Sequence, residues 1–262
     1  MKNLLFVALA FIMLGVASCK KESSTPSAKK YLVSKLTDSL GFVSIKFNYN
    51  PSNDLSILDL GTSVITFTYN SQHQVIVRQQ STGAVVSVID SFFYDSYGNL
   101  SSIHYYDNTL TKKGKATFSY DGNFKVSSIL RNMVNTSDSR LSEFEYSNGA
   151  LASITQYEYN SGNFKKSALT EFFAYDSTAN PFQSLVKKQL ADLSGQLEFF
   201  FVSNPNNARS VKLTSYDVAT GNIATIDAAT IKYLYNSDGL LSDFYTSTGD
   251  QNKFTVSYIQ AQ

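Results

Sequence analysis

One pattern constrains this chain more than any other: an aromatic residue, one intervening residue, a tyrosine, then Asn or Asp, a turn, and a fresh apolar residue. Phe47-Asn48-Tyr49-Asn50 precedes Leu55, and Phe67-Thr68-Tyr69-Asn70 precedes Val75. Phe92-Phe93-Tyr94-Asp95 leads into Gly98-Asn99-Leu100, and Phe118-Ser119-Tyr120-Asp121 into Gly122 and Phe124. Phe144-Glu145-Tyr146-Ser147, Phe173-Ala174-Tyr175-Asp176 and Tyr233-Leu234-Tyr235-Asn236-Ser237-Asp238-Gly239 complete the set. The tyrosines at 49, 69, 94, 120, 146 and 175 lie 20, 25, 26, 26 and 29 residues apart, which is one two-stranded hairpin per unit.

Alternation within each unit has a period of two. Ile45, Phe47 and Tyr49 share one side against Lys46 and Asn48, and Phe254, Val256 and Tyr258 oppose Thr255 and Ser257. Such strands are half-buried. Asn or Asp at the strand end bonds its own backbone two residues on, and glycine accepts the positive φ of a tight reversal. Tyr94, Asp95, Gly98 and Asn99, Tyr120, Asp121 and Gly122, and Tyr235, Asn236 and Gly239 therefore read as structural turn residues. A second class of turn, at Asp107-Asn108, Asn135 to Asp138, Ser161-Gly162-Asn163 and Thr220-Gly221-Asn222, closes the other end. The expectation is an all-β, up-and-down antiparallel meander of about 16 strands, strongly curled or closed into a barrel. Residues 183–194 fit either a short helix or another strand, and Phe199-Phe200-Phe201 before Asn204-Pro205-Asn206-Asn207 reads as a degenerate unit.

The N-terminus carries a different message. Lys2 gives a basic start, Leu4 to Val16 is an apolar run of 13 residues, and Val16-Ala17-Ser18 sets small residues before Cys19. This is the pattern of a secretory signal peptide, and the run is short of the roughly 20 residues that a membrane helix needs. Val-Ala-Ser-Cys resembles the bacterial lipobox, which implies a diacylglycerol on Cys19 and removal of residues 1–18. Two or three acyl chains, at about 0.8 kcal/mol per buried methylene, anchor a protein where one does not. With no aspartate after Cys19, delivery to the outer membrane is implied. Residues 19–30, rich in Ser, Thr, Pro and Lys, read as the lipidated cysteine and a flexible tether, and residues 31–262 as a single β-repeat domain.

Composition excludes several functions. Without Lys2 the 22 basic side chains become 21 against 21 acidic ones, so nothing biases the chain toward nucleic acid. A single cysteine leaves no disulfide framework. The two histidines, His73 and His104, lack companions for metal ligation, and no full calcium loop, nucleophile elbow, P-loop or dinucleotide fingerprint occurs. Glu143 and Glu145 share the polar face of one strand and read as solvated. The expectation is no enzyme, no cofactor and no metal.

Tyr94-Asp95-Ser96-Tyr97-Gly98-Asn99-Leu100 resembles the tyrosine–aspartate (YD, or Rhs-type) repeats, which form hairpins of curling β-sheets. Over residues 31–262 the chain is similar to a family of Bacteroidetes outer-membrane lipoproteins of unknown function with a porin-like antiparallel β fold. The resemblance implies a lipid-anchored, non-enzymatic binding or scaffolding module in the envelope, partnered by protein or glycan. Two alternatives stand beside it: a porin-like barrel embedded in the membrane, and a carrier of an apolar ligand inside a barrel.

Overall fold

The computed structural model describes residues 30–41, 44–182, 206–246 and 253–261. The signal peptide, Cys19, nearly all of the tether, the 183–194 window and the Phe199–Phe201 unit lie outside the described residues. The first strands are short: β1 (Tyr31–Asp38), β2 (Ser44–Tyr49), β3 (Leu55–Asp59) and β4 (Val64–Tyr69). Next come β5 (Val75–Thr82), β6 (Val85–Tyr94), β7 (Leu100–Asp107), β8 (Lys112–Tyr120) and β9 (Val126–Met133). After a 3-10 turn at Thr136–Asp138 follow β10 (Arg140–Ser147), β11 (Ala150–Asn160), β12 (Asn163–Ala179) and β13 (Asn206–Tyr216). The circuit ends with β14 (Ile223–Tyr235), β15 (Leu241–Thr246) and β16 (Lys253–Gln260).

Each strand pairs antiparallel with its neighbours in sequence, and β1 pairs with β16, so the meander is a closed barrel. Closure removes every free edge, the feature that otherwise invites aggregation. The sequence left curling and closure open; the Tyr31↔Gln260 to Asp38↔Phe254 register is what closes it.

The apolar side of each strand faces inward. Leu36, Leu58, Val75, Ile103 and Ala116 are wholly buried, and with Phe47, Phe92, Leu151, Val211, Phe244 and Val256 they form one continuous cluster around the circuit. The alternate residues face water, as Lys46 and Asn48 do between buried Ile45, Phe47 and half-buried Tyr49. Transfer of apolar surface at roughly 25 cal/mol per Å² is what selects this orientation.

Candidate functional site

The two ends of the barrel are built differently. At the end where even-numbered strands finish, the repeated tyrosine becomes a bond. The hydroxyl of Tyr49 donates to the Val33 carbonyl at 2.6 Å, Tyr69 to Leu55 at 2.6 Å, Tyr94 to Val75 at 2.8 Å and Tyr120 to Leu100 at 2.8 Å. Tyr146 donates to Val126 at 3.0 Å, Tyr175 to Leu151, Tyr233 to Ala208 at 2.6 Å and Tyr258 to Leu241 at 2.9 Å. Each acceptor lies in register with the tyrosine of the previous unit: Leu55 opposes Tyr49, Val75 opposes Tyr69 and Leu100 opposes Tyr94. Val33 opposes Tyr258, so the chain of bonds runs once round the barrel and meets itself.

Tyr258, outside the repeated motif, supplies the eighth link, and on β14 the link is made by Tyr233 rather than Tyr235. Tyr235 instead donates to the buried carboxylate of Asp176, which also receives the Asn207 amide at 3.1 Å.

The turns below the tyrosines share one geometry. The side-chain Oδ1 of Asp95 accepts from the amides of Tyr97 and Asn99 at 2.9 and 2.8 Å, and Asp121 does the same for Asn123 and Lys125 at 2.8 and 2.9 Å. Asn50, Asn70 and Asn236 repeat it. Desolvation raises the pKa of Asp95, but the donors from Asn99, Tyr97 and Gly98 outweigh it and hold the carboxyl low. The residue three places on has positive φ: Gly98 at 82° and Gly239 at 74°, as expected. Gly122 does not take that role. Phe124 does, at 58°, because the reversal is fixed by distance from the Asp121 acceptor, and Gly122 stands two residues too early.

A feature the sequence reading missed lies just above. A register shift precedes Tyr49, Tyr94 and Tyr235, and the extra residue opposite is a serine. Ser56, Ser101 and Ser242 donate their hydroxyls to the carbonyls of Asn48, Phe93 and Leu234 at 3.1, 3.0 and 3.1 Å. Leu-Ser after these three turns is its signature in the sequence.

Side chains also tie turn to turn. Nδ1 of His73 lies 2.7 Å from Oδ2 of the buried Asp54, Gln74 donates to the Gly98 carbonyl at 3.1 Å, and Lys125 donates to that of Gly149 at 2.6 Å. His73 is thus a rim fastener. His104 lies on the outer wall with its ring 4.5 Å from that of Phe93, and burial together with Lys112 and Lys115 lowers its pKa. Glu143 and Glu145 accept from Tyr157 and Ser153, both at 2.8 Å, along that same wall.

The opposite end is the mouth. Ile223 to Ala228 on β14 are exposed on both faces, so the interior there meets solvent. Within the barrel, away from the ring of tyrosine links, lies a buried polar cluster. Arg78 opposes Asp90, Asp90 opposes Tyr105, and Tyr105 opposes Gly114 across four successive strands. Nε and Nη2 of Arg78 reach the same Asp90 Oδ2 at 2.7 and 2.5 Å. Asp90 is fully buried, and burial raises its pKa although Arg78 and then Arg131 pull it down. The Arg131 guanidinium sits 5.5 Å from the centre of the Tyr105 ring. Gly114 lets β8 and β9 close in: a Cβ there would lie 2.5 Å from Met133 Sδ and 2.6 Å from the Asn132 carbonyl. Among the described residues, Asp90 Oδ1 and the Tyr105 hydroxyl are buried polar atoms without a hydrogen-bond partner. Chemically the cluster can hold a polar or charged group; no nucleophile stands beside it.

No protein-family model and no curated protein sequence matches the chain. Among solved structures, a porin-like protein from Bacteroides uniformis ATCC 8492 superposes with a TM-score of 0.53 at 11% identity, over 86% of this chain and 95% of its own. The likeness is one of fold. A porin-like protein from Bacteroides vulgatus ATCC 8482 aligns over 88% of this chain and 99% of its own, at 10% identity and a TM-score of 0.43.

Proposed function

We propose that this chain is a lipid-anchored envelope lipoprotein, tethered through acyl chains on Cys19, whose barrel stands in water and binds a partner or ligand at its open mouth without catalysis. The lipobox-like Val16-Ala17-Ser18-Cys19 and the tyrosine–aspartate hairpins support membership in the Bacteroidetes lipoprotein family they resemble.

The observation that carries the reading is the set of charged pairs on the outer wall, which stand among exposed apolar residues such as Phe93, Phe173 and Leu234. Lys46 pairs with Asp59 at 3.5 Å, Lys212 with Glu171 at 3.0 Å and Lys253 with Asp243 at 3.0 Å, all between neighbouring strands on that wall. A lysine facing lipid at the bilayer midplane costs about 2–4 kcal/mol. Strands β2, β3 and β4 have 6, 5 and 6 residues, whereas a membrane-spanning strand needs about 9–11. The porin-like fold favours the alternative of a membrane-embedded barrel; the charged pairs and strand length weigh against it. An apolar carrier finds little room at the tyrosine end, where Leu36, Leu58 and Val75 have no exposure.

Replacing residues 1–19 with a cytoplasmic start is expected to give protein that remains in solution without detergent. Protein recovered only in detergent would favour the embedded barrel. Independently, Cys19→Ala is expected to abolish palmitate labelling.

A further inference from the structure

The tyrosine end carries two features that its architecture does not explain. Tyr97 and Phe124, on neighbouring turns, are 81% and 65% exposed, and their rings lie 6.3 Å apart. Phe124 takes the left-handed position of its turn, as Gly98, Gly239, Asn53 and His73 do in the sister turns. Two large rings pointed at solvent contribute nothing to the packing of the barrel.

The path of the chain indicates what lies opposite. β1 begins at Tyr31, in register with Gln260 at the end of β16, so the polypeptide enters the barrel on the same rim that bears these rings. The eleven residues 20–30 join Cys19 to Tyr31 and reach about 40 Å at full stretch. The rim at Tyr31 is therefore the part of the barrel nearest to Cys19 along the chain.

We propose that the tyrosine-end rim rests on the bilayer in which Cys19 is anchored, with Tyr97 and Phe124 seated in the lipid interface. This docking rests on the lipid-anchored reading above. Aromatic rings with one wet and one apolar side favour that depth of a membrane. The contact is one of rings more than of charge: Asp95 and Asp121 on these turns are engaged by amides, and Lys125 by the Gly149 carbonyl. The mouth then points away from the anchoring membrane, toward whatever it binds.

The test uses the full chain, acylated in cells, purified and reconstituted in phosphatidylcholine vesicles with brominated acyl chains. Because Cys19 is the chain's one cysteine, acylation leaves an introduced thiol unique. A polarity-sensitive fluorophore is placed at Tyr97→Cys, Phe124→Cys, Leu110→Cys on the opposite rim, or Lys115→Cys on the outer wall. Positions 97 and 124 are expected to shift to the blue, to be quenched by brominated lipid and to be shielded from iodide, at low and high salt alike. Positions 110 and 115 are expected to behave as in water. Vesicle-bound protein in which 97 and 124 remain open to iodide would overturn the docking while leaving the anchor standing. Lipid quenching at 110 would place the wrong rim on the membrane and overturn it too. A chain that never joins the vesicles and keeps a reactive Cys19 would overturn anchor and docking together. Phe124→Gly relieves the backbone and is expected to fold at least as well, yet to lose protection of a probe at position 97.

Discussion

The tyrosine end of the barrel repeats and the mouth does not. At the first, every described hydroxyl in the ring of links finds a carbonyl; at the second, the polar groups of Asp90 and Tyr105 meet arginines rather than backbone carbonyls. Tyr94 and Tyr105 make the contrast within one hairpin. Tyr94 bonds the strand behind it, while Tyr105, 8% exposed, has the Arg131 guanidinium beside its ring and makes no such link to a carbonyl. The hydroxyl links are therefore concentrated where the sequence is periodic, and the buried ion pair lies where periodicity lapses.

The strongest way to break this contrast is alkali. Burial raises the pKa of Tyr49, Tyr69, Tyr233 and Tyr258, and pushes Tyr120 to about 12. A folded state that holds these protons more tightly than the unfolded chain is stable below the ordinary tyrosine value near 10 and loses stability as pH rises past it. Urea midpoints are expected to fall steadily from pH 10 upward, the steepest change of all because several links titrate together. A flat profile to pH 12 would show that the ring contributes little.

Next in size is the ion pair at the mouth. Asp90→Ala leaves the Arg78 guanidinium, 11% exposed, without its carboxylate and is expected to cost about 3–5 kcal/mol in denaturant unfolding. Replacing both, with Arg78→Met and Asp90→Leu, is expected to be close to neutral. If the double variant is as unstable as the single one, the pair holds the fold and is not a device for binding.

Tyr94→Phe orphans the Val75 carbonyl and is expected to cost about 1–2 kcal/mol, whereas Tyr105→Phe removes an unpartnered hydroxyl and is expected to cost nothing or to stabilise. Equal losses at both positions would erase the distinction between the two ends. The smallest effect belongs to the turns. Gly98→Ala puts a Cβ 3.3 Å from the mobile end of Gln74 and at a φ of 82°, for an expected loss of about 1 kcal/mol.

Much of the fold was legible because period-two alternation and Asx-type turns are local. A reader of residues 92–100 alone could place a strand end, a reversal and a new strand. Barrel closure was not, since nothing near Tyr31 signals that Gln260 will lie beside it. Turn register was half legible: Gly122 looks like the left-handed residue, but distance from Asp121 assigns that conformation to Phe124. The mouth was the least legible. Arg78, Asp90 and Tyr105 come from three strands and Arg131 from a fourth, two strands beyond Tyr105, with no motif to join them. His73 looked solitary because its partner Asp54 belongs to the previous turn.

The register between Val33 and Tyr258 also sets a timetable. A chain exported from its N-terminus delivers β1 first and β16 last, so the first strand waits with one side unpaired while some two hundred residues cross the membrane. Until then the growing sheet is an open ribbon whose leading edge is unpaired. The pairing of Val33 with Tyr258 joins the oldest part of the chain to the newest.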